Sequence, residues 1–253
     1  MIDILLSAFL LSLVLLGIHS YFGLEIIRRG IIFTDLAVGQ MAALGAAVSV
    51  FFFHGRFLYP ISLAFALTAA WLNALAVRRE KNLEAFIGLL YAFGVSGVFI
   101  LLSRSPHGME EFQNLLAADI LFTPLKDIIH TAIIYALLGL FLFYVNTRLN
   151  GFKKDFLFFA VFAFTVTSSV RLAGVFVVFA LLIGPAFTAL KLRQRQGNKK
   201  PVITAWLVGI VINFFAVAVS YQFDLPTGYT IVMLHALAAI LASFLTRRTI
   251  PAA

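Results

Sequence analysis

The stretch IIFTDLAVGQMAALGAAVSVFFF, residues 31–53, carries one carboxylate, Asp35, and one amide, Gln40, in an otherwise apolar run. A helix needs about 20 mainly apolar residues to span a bilayer. A charged side chain in hydrocarbon costs roughly 2.5–3.5 kcal/mol on insertion scales, and it is retained where it faces a bundle interior, a partner or a water-filled path. The stretch therefore predicts a membrane helix, with Asp35 as its candidate functional residue.

The composition places the whole chain in a lipid bilayer. Of its 253 residues, 62% are hydrophobic and 12% are charged, and the mean hydropathy is +1.02, whereas soluble domains are about 25% charged. We predict an all-α, multi-pass helical bundle in the cell's inner (plasma) membrane, in contact with lipid, with residues 1–253 forming a single transmembrane domain. The net charge of +8 falls in small clusters between apolar stretches, which indicates topology signals and not a nucleic-acid-binding surface.

Nine apolar stretches are candidate membrane spans. The sixth and seventh are short and are separated only by Arg171 and Leu172, so a count of eight stays open. With the N-terminus outside and the C-terminus in the cytoplasm, all but four of the 19 Lys and Arg residues lie on the cytoplasmic side, as the positive-inside rule requires. The loop after the fourth span contains a predicted amphipathic helix at 112–122. The predicted spans are 4–27, 31–54, 57–77, 85–103, 127–146, 156–171, 173–191, 203–221 and 227–246.

Motifs of soluble catalysis are missing from the sequence. It contains no Gly-rich phosphate loop, no H-E-x-x-H and no G-x-S-x-G, so we expect neither ATP hydrolysis nor another enzymatic activity from this chain. It has no cysteine, so a metal ligand must be His, Asp, Glu, a hydroxyl or a carbonyl. His19, His130 and His235 lie in spans, and we predict interhelical hydrogen bonds for them rather than ligand roles.

Asp35 and Gln40 are five residues apart, about 140° around a regular helix. Asp35 therefore shares a face with Gly39 and not with Gln40. Asp35 either lines a cation path or forms a buried hydrogen bond to a neighbouring helix. Pro185 removes a backbone hydrogen bond from its span and marks either a substrate path or a packing kink. The hydroxyl-bearing residues at 165 and 167–169 are expected to serve helix packing first and a water path second.

Five segments carry motifs that belong together. The strongest is LAGVFVVFALLIGPAFTA at 172–189. The others are RR, FTD and QMAALG within 28–45, EAFIG at 84–88, LLAADIL at 115–121 and DLPTG at 224–228. In this order, over nearly the whole chain, they resemble the permease subunits of the manganese/zinc/iron family of ABC importers.

The resemblance implies a working unit with several partners. Two permease copies form the pathway, a cytoplasmic ABC ATPase drives it, and an extracytoplasmic metal-binding protein delivers Zn²⁺ or Mn²⁺, with Fe²⁺ as a further candidate. No cofactor is held permanently. Asp35 is then a candidate metal contact, and the substrate path comprises Asp35, Gly39, Gln40 and Pro185.

Two features depart from the family pattern. Alignment on Gly45 puts Gln40 at the histidine of the family's D-x-L-x-H motif, with Asp35 one residue early, and an amide oxygen is a weaker ligand for Zn²⁺ than imidazole. The cytoplasmic segment before the sixth span is also short, which suggests one competitor, an uncoupled carrier or channel derived from the family. A second competitor is a structural membrane subunit without a path, in which Asp35 forms only a buried hydrogen bond. ATPase coupling is assigned to Asn150, Gly151, Phe152, Lys153 and Lys154.

Overall fold

The computed structural model describes residues 2–104, 120–196 and 201–245, and in these ranges the protein has nine apolar helices long enough to cross a membrane. The nine-span prediction is therefore confirmed, whereas the orientation of the termini stays a prediction. The helices are α1 (Ile2–Arg29), α2 (Thr34–Phe53), α3 (Leu58–Arg79), α4 (Leu83–Leu102), α5 (Leu125–Arg148), α6 (Phe152–Ala173), α7 (Val175–Gln196), α8 (Pro201–Phe223) and α9 (Thr227–Leu245).

The break between the sixth and seventh helices lies at Gly174. This glycine has a φ of 82°, and its N–H donates to the Val170 carbonyl at 2.8 Å, which ends α6. Positive φ is accessible to glycine without a Cβ penalty. The break therefore lies three residues after Arg171, the charged residue at which the sequence placed it. Of the predicted helix at 112–122, residues 112–119 lie outside the described ranges, and Ile120–Phe122 form a 3₁₀ turn.

The described residues group into two compact units. The first unit contains α1, the 3₁₀ turn, α8, α9 and α7 from Phe176 onward. The second unit contains α2, α3, α4, α6 and α5 from Ile129 onward.

Small residues bring the helices of the first unit into close contact. A Cβ atom on Gly23 of α1 would collide with the Leu182 carbonyl oxygen of α7, and one on Gly209 of α8 would collide with the Leu16 side chain. Small residues commonly allow membrane helices to approach each other closely. Such contacts matter because lipid tails are as apolar as the helices, so no hydrophobic force drives the helices together.

The three intramembrane histidines differ from one another. His235 Nε2 of α9 donates to Asn213 Oδ1 of α8 at 2.9 Å, with both side chains fully buried, which confirms the interhelical bond predicted for it. His19 Nδ1 donates to the Leu15 carbonyl of its own helix at 2.8 Å. His130 is exposed on α5, and the interhelical hydrogen bond predicted for it stays a prediction.

In the second unit, α2 packs against α3, α4 and α6. A Cβ atom on Gly45 would come within 2.8 Å of the Ser62 Cα, and Ser62 Oγ donates to the Ala42 carbonyl. On another side of α2, Gly94 of α4 lies against the backbone of Gln40. The small residues of α2 therefore allow its neighbouring helices to approach closely.

A tyrosine joins α5 to α6 in the same unit. The Tyr135 hydroxyl lies 2.8 Å from Ser168 Oγ, 2.5 Å from Ser169 Oγ and 3.2 Å from the Thr165 carbonyl oxygen. These α6 residues follow i, i+3, i+4 spacing, which places them on one face. The predicted packing role is thus confirmed for this face, while Thr167 lies on another.

Large apolar side chains cover the outer faces of the helices. Leu89, Leu140, Phe143 and Phe244 are between 68% and 83% exposed. A soluble monomer rarely exposes apolar surface on this scale, so these faces are suited to lipid or to other membrane subunits.

Candidate transport site

Asp35 is the second residue of α2 and is 3% exposed. Within the described residues its Oδ1 is buried without a hydrogen-bond partner. Phe33, the residue at the N-terminal cap of α2, makes no side-chain capping bond. The positive end of the helix dipole therefore favours a carboxylate in the first turn. Asp35 therefore lies near one end of its span, where a charged side chain costs less free energy than at the centre. One of its oxygens is available to a ligand.

Glu84 lies at the same end of the second unit and was not assigned a role from the sequence. Its Oε1 accepts the Phe33 backbone N–H at 3.2 Å, which ties the first turn of α4 to the start of α2. Its Oε2 is buried and has no hydrogen-bond partner in the described part of the chain. The available signal was an acidic residue that opens an otherwise apolar span.

Asp35 and Gln40 lie on different faces of α2. A Cβ atom on Gly94 would come within 3.0 Å of Gln40 Cβ, so the Gln40 side chain begins at the α2–α4 contact. Gly39, one turn from Asp35 on its own face, instead borders a cavity toward α3 and α6. The structure thus confirms the predicted separation and does not bring the two polar side chains together.

The cavity has a volume of about 70 Å³ and is formed by α2, α3 and α6. Gly39 is the one predicted path residue that lines it. The full lining is Gly39, Ala42, Ala43 and Ala46 of α2, Leu58, Tyr59 and Ser62 of α3, and Thr167, Val170 and Arg171 of α6.

Arg171 gives this cavity its charge. Its guanidinium carbon lies 5.3 Å from the centre of the Tyr59 ring, a cation–π arrangement. The lining contains no carboxylate. The cavity lining therefore does not stabilise a divalent cation, whereas the carboxylate of the neighbouring Asp35 does.

Pro185 is buried within α7, which continues through it as one helix. Beside it, a Cβ atom on Gly184 would come within 3.0 Å of the His235 Cβ. Close packing therefore accounts for this segment, and a role for Pro185 in a path stays a prediction.

The predicted coupling residues surround the connection from α5 to α6. Leu149, Asn150 and Gly151 form this connection, and Gly151 has a φ of 67°. Phe152, Lys153 and Lys154 form the first turn of α6. The connection therefore contains no separate helix, and its residues present an exposed turn next to a basic helix start.

The end of α3 supports this turn. The Arg78 guanidinium carbon lies 5.6 Å from the centre of the Phe152 ring, and a Cβ atom on Gly151 would come within 2.7 Å of Arg78 Nη2. The turn therefore packs against the end of α3, whereas its role in ATPase coupling stays a prediction.

The described residues contain no group of three or more His, Cys, Asp or Glu side chains that could hold a metal ion. The model of the ABC 3 transport family matches residues 148–246, from the end of α5 through α9. Over these residues the chain is similar to the ABC 3 transport family. This similarity and the nine apolar helices of the described residues agree with the predicted multi-pass permease of the inner membrane, a transport subunit rather than an enzyme.

Curated relatives match the permease over most of its length. It is 25% identical over 257 residues to a "Probable iron transport system membrane protein" of Haemophilus influenzae, covering 95% of the permease and 89% of that protein. It is 26% identical over 189 residues to a "Probable metal transport system membrane protein" of Thermotoga maritima, covering 69% and 66%.

A solved structure shares the fold of the permease. A chain of PsaBC from Streptococcus pneumoniae, in complex with Fab, superposes with a TM-score of 0.72 at 18% identity, covering 97% of the permease and 92% of that chain. The agreement in helix arrangement extends over nearly all of both chains.

Proposed function

We propose that this permease moves a divalent transition-metal cation, Zn²⁺, Mn²⁺ or Fe²⁺, into the cytoplasm. The observation that carries the proposal is the buried Asp35 carboxylate in a spanning helix, whose Oδ1 has no hydrogen-bond partner among the described residues. Carboxylate oxygens are ligands for all three cations. The names of the Haemophilus and Thermotoga relatives, which specify iron and metal transport, support this cargo.

The proposed working unit has several subunits. A separate cytoplasmic ABC ATPase supplies the energy, an extracytoplasmic metal-binding protein delivers the cation, and a second permease copy completes the pathway. Asp35 alone offers few ligands, so a symmetric copy of it would add a second carboxylate. ATP binding would then rock the two copies between outward-open and inward-open states, and a weakly held cation could leave.

The ligand chemistry favours Mn²⁺ over Zn²⁺ and Fe²⁺, because imidazole suits both of the latter. Oxygen ligands suit Mn²⁺, whereas imidazole suits Zn²⁺. Gln40 faces α4, and the residue one turn from Asp35 on its own face is Gly39. The described part of α2 thus offers an oxygen ligand from Asp35 without an adjacent imidazole.

Reconstitution tests the proposal. The permease, its ATPase and its binding protein are placed in liposomes, and uptake of each of the three cations is measured with ATP and with a non-hydrolysable analogue. We expect saturable uptake that requires ATP hydrolysis. Absence of uptake for all three cations, in a complex whose ATPase is stimulated by the binding protein, would exclude this cargo class.

The short connection from α5 to α6 favours one second candidate, an uncoupled metal carrier. In the described residues only Leu149–Gly151 separate these helices, which leaves little structure to engage an ATPase. The same liposomes without ATPase distinguish the two candidates. Uptake driven by the metal gradient alone, at the rate of the complete complex, would identify a carrier.

A further inference from the structure

The cavity of the second unit has features that a cation path does not explain. Arg171 places a guanidinium in its wall, held beside Tyr59. Arginine presents several N–H donors in a planar fork, which suits phosphate and carboxylate groups. The cavity therefore has the charge of an anion site.

The start of α3 adds a second source of positive potential. Leu58 and Tyr59 are the first two residues of α3 and line the cavity. First-turn N–H groups have no intrahelical acceptor, and the cap residue Phe57 makes no side-chain hydrogen bond. A helix N-terminus of this kind stabilises anions.

An unpartnered hydroxyl group also lines the cavity. Thr167 is only 7% exposed, and its Oγ1 has no hydrogen-bond partner in the described residues. On the same helix, Thr165 Oγ1 donates to the Val161 carbonyl at 2.8 Å, the usual arrangement for a helical threonine. A buried hydroxyl without a partner is costly, so the Thr167 hydroxyl points to a ligand or water in the cavity.

We propose that this cavity binds the phosphate group of an anionic phospholipid. Its volume of about 70 Å³ is several times the roughly 10–15 Å³ of cavity that holds one water, so it admits the non-ester oxygens of a phosphate but no large organic solute. Arg171 and the α3 amides bind these oxygens, and the Thr167 hydroxyl donates to one of them.

The positions of Tyr59 and Arg171 in the wall of the cavity favour a lipid as the source of the phosphate. Tyr59 lies in the first turn of α3 and Arg171 in the last turn of α6, so both are at span ends, where headgroups lie. Phe53 and Phe57 at this end of the unit are 43% and 53% exposed, as expected next to acyl chains. Basic pockets between membrane helices on the cytoplasmic or matrix side bind anionic headgroups, and the guanidinium of Arg171 offers the same chemistry here.

Lipid titration of the full-length permease in neutral detergent tests this site. Native mass spectrometry measures retention of phosphatidylglycerol and phosphatidylcholine, and thermal unfolding is followed with each lipid and with inorganic phosphate. The variants are Arg171→Gln, Arg171→Lys and Thr167→Val. Arg56→Gln is the matched control, because Arg56 is an exposed arginine at the same end of the unit and does not line the cavity.

We expect one tightly retained phosphatidylglycerol per chain and weaker phosphatidylcholine binding, because the choline cation opposes Arg171. Arg171→Gln should weaken phosphatidylglycerol binding at least about tenfold, the scale of a hydrogen bond to a charged group. Thr167→Val should weaken it several-fold, Arg171→Lys should retain part of it, and Arg56→Gln should leave it unchanged.

Three results would overturn the proposal. One is wild-type lipid retention by an Arg171→Gln variant that unfolds at the wild-type temperature without lipid, since Arg171 would then only stabilise the end of α6. Another is equal weakening by Arg56→Gln, which indicates nonspecific attraction. The third is equal protection by inorganic phosphate alone, which assigns the site to a free anion.

Discussion

Gly94 of α4 lies directly against Gln40 of α2, where an added Cβ atom would come within 2.9 Å of the Gln40 carbonyl carbon. The Gln40 face of α2 is therefore occupied by packing against α4. The face that carries Asp35 has space instead, because a Cβ atom on Gly39 would meet nothing within 4 Å. The amide at the family's histidine position is thus separated from the carboxylate that it would accompany in the motif.

The free space at Gly39 allows an imidazole to be placed beside Asp35. Gly39→His puts Asp and His at i, i+4 on one face, and we expect its Zn²⁺ affinity to rise at least about tenfold, the scale on which metal sites respond to changes in their ligand environment. Gln40→His, the matched control, should change the affinity little because it faces α4. Competition with a chromophoric chelator measures both, and a larger gain from Gln40→His would contradict the assigned faces.

Asp35→Asn should lower metal uptake by the reconstituted complex at limiting metal. An amide keeps the size of the side chain but removes its charge, and we expect a loss of at least about tenfold with normal membrane insertion. Asp127→Asn is a suitable control, since Asp127 is an exposed carboxylate in the first turn of α5. Unchanged uptake by Asp35→Asn would remove Asp35 from the path.

Gly23→Ala should destabilise the first unit. Its methyl group would collide with the Leu182 carbonyl of α7, and overpacking of this kind costs about 1–3 kcal/mol. Gly17→Ala on the same helix should be neutral or slightly stabilising, because a Cβ atom there meets nothing within 4 Å. Thermal unfolding in detergent compares the two, and equal midpoints would show that α1 and α7 can separate at Gly23 without cost.

The buried pair of Asn213 and His235 should show energetic coupling. Each single change, Asn213→Leu or His235→Leu, leaves one buried polar group without its partner, while the double change removes both. Intramembrane hydrogen bonds contribute about 0.6 kcal/mol on average and up to roughly 1.7, so the double-mutant cycle should give a coupling energy in this range. Additive changes in unfolding free energy would show that the bond contributes nothing.

Charge reversal at the start of α6 should weaken ATPase association. Lys153→Glu with Lys154→Glu replaces two positive charges beside the exposed turn, and we expect loss of co-purification that becomes more severe at low salt, where charges are less screened. Lys126→Glu, at the opposite end of α5, is the control. A double variant that still assembles and transports would place coupling elsewhere.

The spans were predictable because hydropathy reports directly on the solvent around a helix. The largest error at a helix start was at α6, predicted from residue 156 but beginning at Phe152. Its first turn contains Lys153, Lys154 and Asp155, whose charges lower the local hydropathy although long basic side chains can extend from a helix end into water. The angular separation of Asp35 and Gln40 was equally predictable, since it depends only on helix geometry.

The cavity could not be predicted, because it requires knowing which helices are neighbours. Tyr59 and Arg171 are more than 100 residues apart in sequence and meet only through the packing of α3 on α6. The hydroxyl residues of α6 show the same limit. Their spacing indicated a polar face, but only the position of Tyr135 separates those that bond to α5 from Thr167 at the cavity.

The antiparallel helices α3 and α6 are joined at both ends by an arginine resting on an aromatic ring. Arg78 of α3 lies over Phe152 of α6 at one end, and Arg171 of α6 lies over Tyr59 of α3 at the other. The two contacts thus hold α3 and α6 together at both ends of the pair. A displacement of the α5–α6 turn would therefore reach Tyr59 and Arg171 at the other end of this helix pair, so the proposed phosphate site would move with the turn.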